Sequence, residues 1–131
     1  VGAGPVQPAL ARRKDGTLVA YMRDNGPPPQ RVQASESRDR GETWSPVRDT
    51  DRVDPGAGVD VVVLRSGRWL LVHNNAERGR HRLALSLSED EGRTWRHARY
   101  LERDDRGMGP STASYPSIIQ ARDGSIHVSY T

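Results

Sequence analysis

The chain has 131 residues, one domain's length rather than two, with 20 lysines and arginines against 17 aspartates and glutamates and a net charge of +3. No apolar stretch reaches a membrane span or a signal-peptide core, the longest being Val61 to Leu64 and Trp69 to Val72. Cysteine is absent and the four histidines form no HxH or HxxxH pair, so neither a disulfide scaffold nor a metal or other cofactor is expected. In chain order, β-strands are predicted near residues 6–12, 17–23, 31–36 and 45–49, then near 59–65, 69–74, 82–87 and 96–101. A last pair is predicted near 115–121 and 125–130. The turns Arg13-Lys14-Asp15-Gly16, Arg65-Ser66-Gly67 and Arg122-Asp123-Gly124 separate apolar runs, as hairpin turns do. Nothing shows sustained helical periodicity, and 13 glycines and nine prolines punctuate the chain.

A repeat organises these strands. Ser37-Arg38-Asp39-Arg40-Gly41-Glu42-Thr43-Trp44 returns as Ser88-Glu89-Asp90-Glu91-Gly92-Arg93-Thr94-Trp95, with the pattern S-x-D-x-G-x-T-W and an offset of 51. Four strands in a repeat of about 40–50 residues is the period of a propeller blade. The fold is therefore predicted to be all-β, with one blade over 1–54, a second over 55–106 and half of a third over 107–131. An apolar fraction of only 34% is poor supply for a chain that should bury roughly two-thirds of its unfolded surface. Half a propeller also leaves open strand edges, which are templates for pairing. The chain is expected to form a homo-oligomer or to belong to a longer chain.

The eight-residue turn resembles the Asp-box, and two copies at blade spacing make the chain similar to sialidases (neuraminidases) and their bacterial BNR-repeat relatives. The resemblance covers essentially the whole chain and matches the second half of a family propeller. It implies a six-bladed propeller, of which two and a half four-stranded antiparallel blades are present. The boxes themselves (Ser37, Asp39, Gly41, Thr43, Trp44 and Ser88, Asp90, Gly92, Thr94, Trp95) are read as structural. Their aspartates can accept N–H groups across the turn, and their tryptophans can pack beneath it.

The chemistry implied by the resemblance lies at other positions. Arg23, in Tyr21-Met22-Arg23-Asp24-Asn25, and Arg80, flanked by the competing Arg78 and Arg82, match arginines that grip a substrate carboxylate. A planar guanidinium binds a carboxylate through two parallel hydrogen bonds. Tyr115, in Ser114-Tyr115-Pro116-Ser117, matches the family's nucleophilic tyrosine; packing at the blade seam is the structural alternative. A phenol suits an anomeric carbon that carries its own carboxylate, because an anionic nucleophile is repelled there. A phenol needs a base, however, and Gln7 stands where the family has glutamate. Gln7 can hydrogen-bond but cannot take a proton. The family's first triad arginine and its acid/base aspartate belong to early blades, outside the stretch matched here.

Among the carboxylates Asp24, Asp60 and Glu77, Asp60 stands out as the polar start of the most apolar strand. It is a candidate substrate contact or acid/base group, against the plainer reading of a solvated loop charge. Asn74 and Asn75 either hold sugar hydroxyls or form a turn.

The expected function is a sialidase-like glycoside hydrolase fragment acting on an anionic sugar. The alternatives are a lyase or hydrolase of uronate polysaccharides on the same scaffold, and a non-catalytic module that binds acidic glycans through Gln7, Arg23 and Arg80. Nucleic acid is not expected as a partner, because basic and acidic residues alternate and form no stripe despite a pI near 9.8. No membrane partner is expected. The compartment stays open between the cytoplasm and export with a removed signal, for a bacterial-type soluble protein.

Overall fold

The computed structural model describes residues 4–104 and 112–131. Among the described residues, ten strands form three antiparallel sheets. The first has the order β1 (Val6–Arg12), β2 (Leu18–Arg23), β3 (Arg31–Ser37) and β4 (Arg48–Val53). The second repeats it with β5 (Asp60–Val63), β6 (Trp69–Asn74), β7 (Arg82–Ser88) and β8 (Arg96–Arg103), and β9 (Ser117–Gln120) with β10 (Ile126–Ser129) forms the third. The first strands lie side by side, β1 against β5 and β5 against β9. This is an all-β, unclosed part of a propeller with its inner strands adjacent. The predicted boundary at 106 and 107 lies outside the described residues.

Period-two alternation explains the stacking. Val19 and Tyr21 of β2 join Val59, Val61, Trp69, Leu71 and Trp95 in the layer between the first two sheets. Leu70 and Val72 of β6 face the other way, with Leu83, Leu85 and Ile118 in the layer toward the third sheet. The second sheet is covered on both faces, so all six residues of β6 are buried and the strand reads as one apolar run. The outermost β4 and β8, Arg-Asp-Thr-Asp-Arg-Val and Arg-His-Ala-Arg-Tyr-Leu-Glu-Arg, have no fully buried residue.

Strand bounds differ from expectation where hydrogen-bond donors run out. β4 starts at Arg48 rather than near Ser45, because Pro46 has no N–H and the Ser45 amide donates to the Glu36 carbonyl at 2.8 Å. Tyr115 and Pro116 precede β9 rather than open it. Tyr115 sits in the left-handed region at φ 51°, and proline cannot donate to a ladder.

The two Asp-boxes share one hydrogen-bond scheme. In the first, Ser37 Oγ donates to Asp39 Oδ1 at 2.8 Å and receives the Gly41 amide at 2.8 Å. The Thr43 amide donates to Asp39 Oδ1 at 2.9 Å, and the Thr43 hydroxyl bonds Asp39 Oδ2. In the second, Ser88 Oγ and the Gly92 amide repeat these contacts at 2.8 Å each, and Thr94 donates twice to Asp90, at 2.8 and 2.6 Å. The bonds from Thr43 and Ser37 pull the Asp39 carboxyl down to about 2. Against the opposing cost of burial, Thr94 and Ser88 hold Asp90 at about 2 as well.

Candidate functional site

β1, β5 and β9 all start at the same end of the sheets, and β2 and β6 finish there, since Val6 pairs with Arg23 and Asp60 with Val72. The Asp-boxes lie at the other end, beyond the pairing of Leu18 with Ser37. The entry to the inner strands is thus separated from the structural turns.

An open cleft of about 250 Å³ occupies this entry, lined by Gln7, Ala9, Gly58, Asp60, Tyr115 and Pro116 among others. Gln7, Gly58 and Tyr115 each stand at the lead into an inner strand. Gln7 and Pro8 form a bulge in β1, since the register shifts between Val6 and Ala9. A bulge re-aims a side chain, and proline is tolerated in one because its missing N–H costs no ladder bond there. Gln7 has φ 57° and Tyr115 φ 51°. Non-glycine residues in this region are uncommon and cluster where surrounding structure has a use for the strain. Tyr115 is 57% exposed, and a β-carbon on Gly58 would lie 3.6 Å from its Cδ1, so glycine leaves room beside the ring.

Arg23 and Arg80 each contact a residue that lines the cleft. Arg23 Nη1 donates to Gln7 Oε1 at 3.2 Å. Arg80 Nη1 donates to Ser114 Oγ at 2.9 Å, and its Cζ lies 5.6 Å from the centroid of the Tyr115 ring, a cation–π distance. Both guanidinium groups keep further N–H donors for an anion.

Asp60 lines the cleft and also stitches two sheets together. Its Oδ1 accepts the Val61 amide at 2.8 Å and its Oδ2 the Ile118 amide at 2.9 Å. The solvated-loop alternative for Asp60 is therefore corrected, because both oxygens are engaged by backbone of inner strands. The other two carboxylates are occupied elsewhere. Asp24 Oδ1 accepts the Gly26 amide at 2.7 Å, and Glu77 pairs with Arg31 at 3.1 Å.

Asn74 is fully buried and donates to the Ala113 carbonyl at 3.2 Å, so it is neither a sugar contact nor a surface turn. Asn75 Nδ2 donates to the Tyr100 hydroxyl at 3.1 Å. His73 is buried with Nδ1 3.0 Å from the Val53 carbonyl and Nε2 2.9 Å from Ser86 Oγ. Burial pushes it down to about 4, so it is neutral at pH 7.

The sequence reading passed over Asp54, which is buried between the cleft-forming segments. It also passed over the shared backbone device at Gln7 and Tyr115. The available signal was the repeated X-Pro step, Gln7-Pro8 and Tyr115-Pro116, ahead of an inner strand.

The profile of the BNR repeat-like domain matches residues 2–128. The chain belongs to this family. Among solved structures, this BNR repeat-like chain is similar to the K499G mutant of NanB sialidase from Streptococcus pneumoniae, with 22% identity and a TM-score of 0.70 over 94% of this chain and 19% of that one. It is similar to the leech intramolecular trans-sialidase, solved with 2,7-anhydro-Neu5Ac, with 22% identity and a TM-score of 0.71 over 94% of this chain and 20% of that one. It is also similar to the E242A mutant of the α-L-arabinofuranosidase Arb93A from Fusarium graminearum, with 16% identity and a TM-score of 0.69 over 96% of this chain and 40% of that one. The chain thus spans a fifth to two-fifths of these proteins, and at such identities the likeness is one of fold. No curated protein matches it. The fold is that of sialidase and related glycosidase propellers.

Proposed function

We propose that the cleft binds the carboxylate of an anionic sugar and that the protein is a sialidase-like glycoside hydrolase. One observation carries the reading. Gln7, Asp60 and Tyr115, remote in sequence, line one cleft, with Arg23 bonded to Gln7 and Arg80 against Tyr115. In this reading Arg23 and Arg80 hold the carboxylate through charge-assisted hydrogen bonds. The Tyr115 hydroxyl attacks the anomeric carbon as the glycosidic C–O bond breaks, its proton passes to Asp60 of the same cleft, and the leaving oxygen takes a proton from solvent; water then cleaves the Tyr115–sugar bond, and Asp60 returns the phenol proton. Gln7 cannot take that proton; it orients Arg23. The proton for the leaving oxygen is assigned to no residue of this chain. Neighbours of the same fold named as sialidases support the substrate class.

The amide at Gln7 favours a second reading, a module that binds an acidic glycan without turnover. Calorimetric titration with N-acetylneuraminic acid, alongside a hydrolysis assay on a sialoside, tests both. Arg23→Met and Arg80→Met should each weaken binding about tenfold, the loss of roughly 1.5 kcal/mol for a charged hydrogen bond. Tyr115→Phe should abolish hydrolysis and leave binding nearly unchanged; wild-type binding without hydrolysis selects the second reading. Arginine variants that bind as wild type would overturn both.

A further inference from the structure

Asp54 opens the segment 54–58 that carries the chain from the first sheet into the second, and the chemistry proposed for the cleft does not use it. Its side chain is 0% exposed. Oδ1 accepts the Ala57 amide at 2.6 Å, and Oδ2 accepts the Asn74 amide at 3.3 Å. One carboxyl therefore joins the end of β6 to the lead into β5, four residues before the cleft residue Gly58.

The same segment is docked on the turn that follows Arg23. Gly56, at φ 73°, lies so close that a β-carbon there would come within 2.7 Å of the Asp24 carbonyl and 2.6 Å of Gln30 Nε2. Gln30 Nε2 in turn donates to the Asp24 and Gly26 carbonyls at 3.0 and 2.9 Å. Arg23, which leads into that turn, has its Nε buried without a hydrogen-bond partner. A buried carboxyl is costly unless it is hydrogen-bonded, and here both oxygens are met by amides of the two segments they join.

We propose that Asp54 is a positioning residue of the cleft: it ties segment 54–58 to the end of β6 and so holds Gly56 against the turn that follows Arg23. Burial pushes its carboxyl up to about 7, with the amides of Ala57, Asn74 and Gly56, then Arg23, pulling the other way. Its ionisation therefore falls in the neutral range. Arg23 at the end of β2 is the one charged side chain among these influences.

The inference rests on the cleft reading only for the identity of the ligand, so its test needs none. NMR of the whole chain follows the Arg23 Nε–Hε signal, assigned by its loss in Arg23→Lys, from about pH 5 to about pH 9. In the wild type this signal should move through neutrality, and in Asp54→Asn it should stay flat. The amides of Ala57 and Asn74 should exchange with solvent at least about tenfold faster in Asp54→Ala, with Asp54→Asn between, while amides of β7 are unchanged. If Asp54→Ala fails to fold, the Asp54→Asn signal decides. An Arg23 signal that titrates alike in wild type and Asp54→Asn, or equal protection of Ala57 and Asn74 in all the proteins, would overturn the proposal. Failure of the wild type to bind N-acetylneuraminic acid would instead sink the cleft reading alone.

Discussion

The two Asp-boxes share five of their eight letters and the hydrogen bonds of their Ser, Asp and Thr, but have opposite surroundings. The second is wedged between sheets. Trp95 is 8% exposed and meets Tyr21 of β2 edge-on, with centroids 5.6 Å apart and planes at 84°. The Tyr21 hydroxyl donates to the Gly92 carbonyl at 3.2 Å, and Arg13 Nε donates to the Glu91 carbonyl at 3.1 Å. Arg13 is itself held by Glu36 through bonds of 3.0 and 2.8 Å. The first box has no described sheet against it. Trp44 is 40% exposed and folds back to donate to the Gly41 carbonyl at 3.0 Å, beside the open apolar side chains Leu10 and Val47. The motif therefore encodes a turn, and tertiary packing decides how much that turn contributes to stability.

The box glycines should differ by about 2 kcal/mol. Both have positive φ, 79° at Gly92 and 95° at Gly41. A β-carbon on Gly92 would lie 2.2 Å from the Tyr21 hydroxyl and 2.7 Å from Trp69, whereas on Gly41 the nearest atoms are at 3.8 and 3.9 Å. Gly92→Ala should cost on the order of 3–4 kcal/mol, overpacking added to backbone strain, and Gly41→Ala about 1–2 kcal/mol from strain alone. Urea midpoints measure both, and equal losses would break the comparison. Next come the tryptophans. Trp95→Ala should cost about 3–5 kcal/mol, as for a buried aromatic, and Trp44→Ala about 1 kcal/mol or less.

The smallest contrast is in acid, where the boxes should agree. Both aspartates titrate near 2 in the fold against an ordinary 3.8. Such depressed groups add stability that is complete above the unfolded value and lost as pH falls through the folded one. Asp39→Asn and Asp90→Asn should therefore each flatten the acid limb of a stability–pH curve, and to similar extents. Asp90→Asn alone flattening it would show that packing, not the turn, sets the shift.

What was legible in the sequence follows the same division. Strand alternation, Gly turns and the repeated box are local signals, and they are sufficient for the sheets and their order. Trp44 was expected beneath its turn like Trp95, because eight letters carry no record of what packs on them. At the cleft, Arg23, Arg80 and Tyr115 were singled out by the resemblance to sialidases, since residue type alone does not pick two arginines from so many. Asp54 was not: in Asp54-Pro55-Gly56 it looks like a turn residue, and its burial arises only when β6 closes over the segment. The left-handed backbone at Gln7 and Tyr115 was hidden too, since glycine, the usual marker, is absent at both.

The central claim is that the entry to the inner strands takes a carboxylate. NMR titration with N-acetylneuraminic acid and, separately, with its uncharged methyl ester tests it directly. The account predicts that the acid moves the signals of Gln7, Arg23, Asp60, Arg80 and Tyr115 while the ester at equal concentration leaves them in place. Equal responses to the two compounds, or shifts confined to other surfaces, would contradict it.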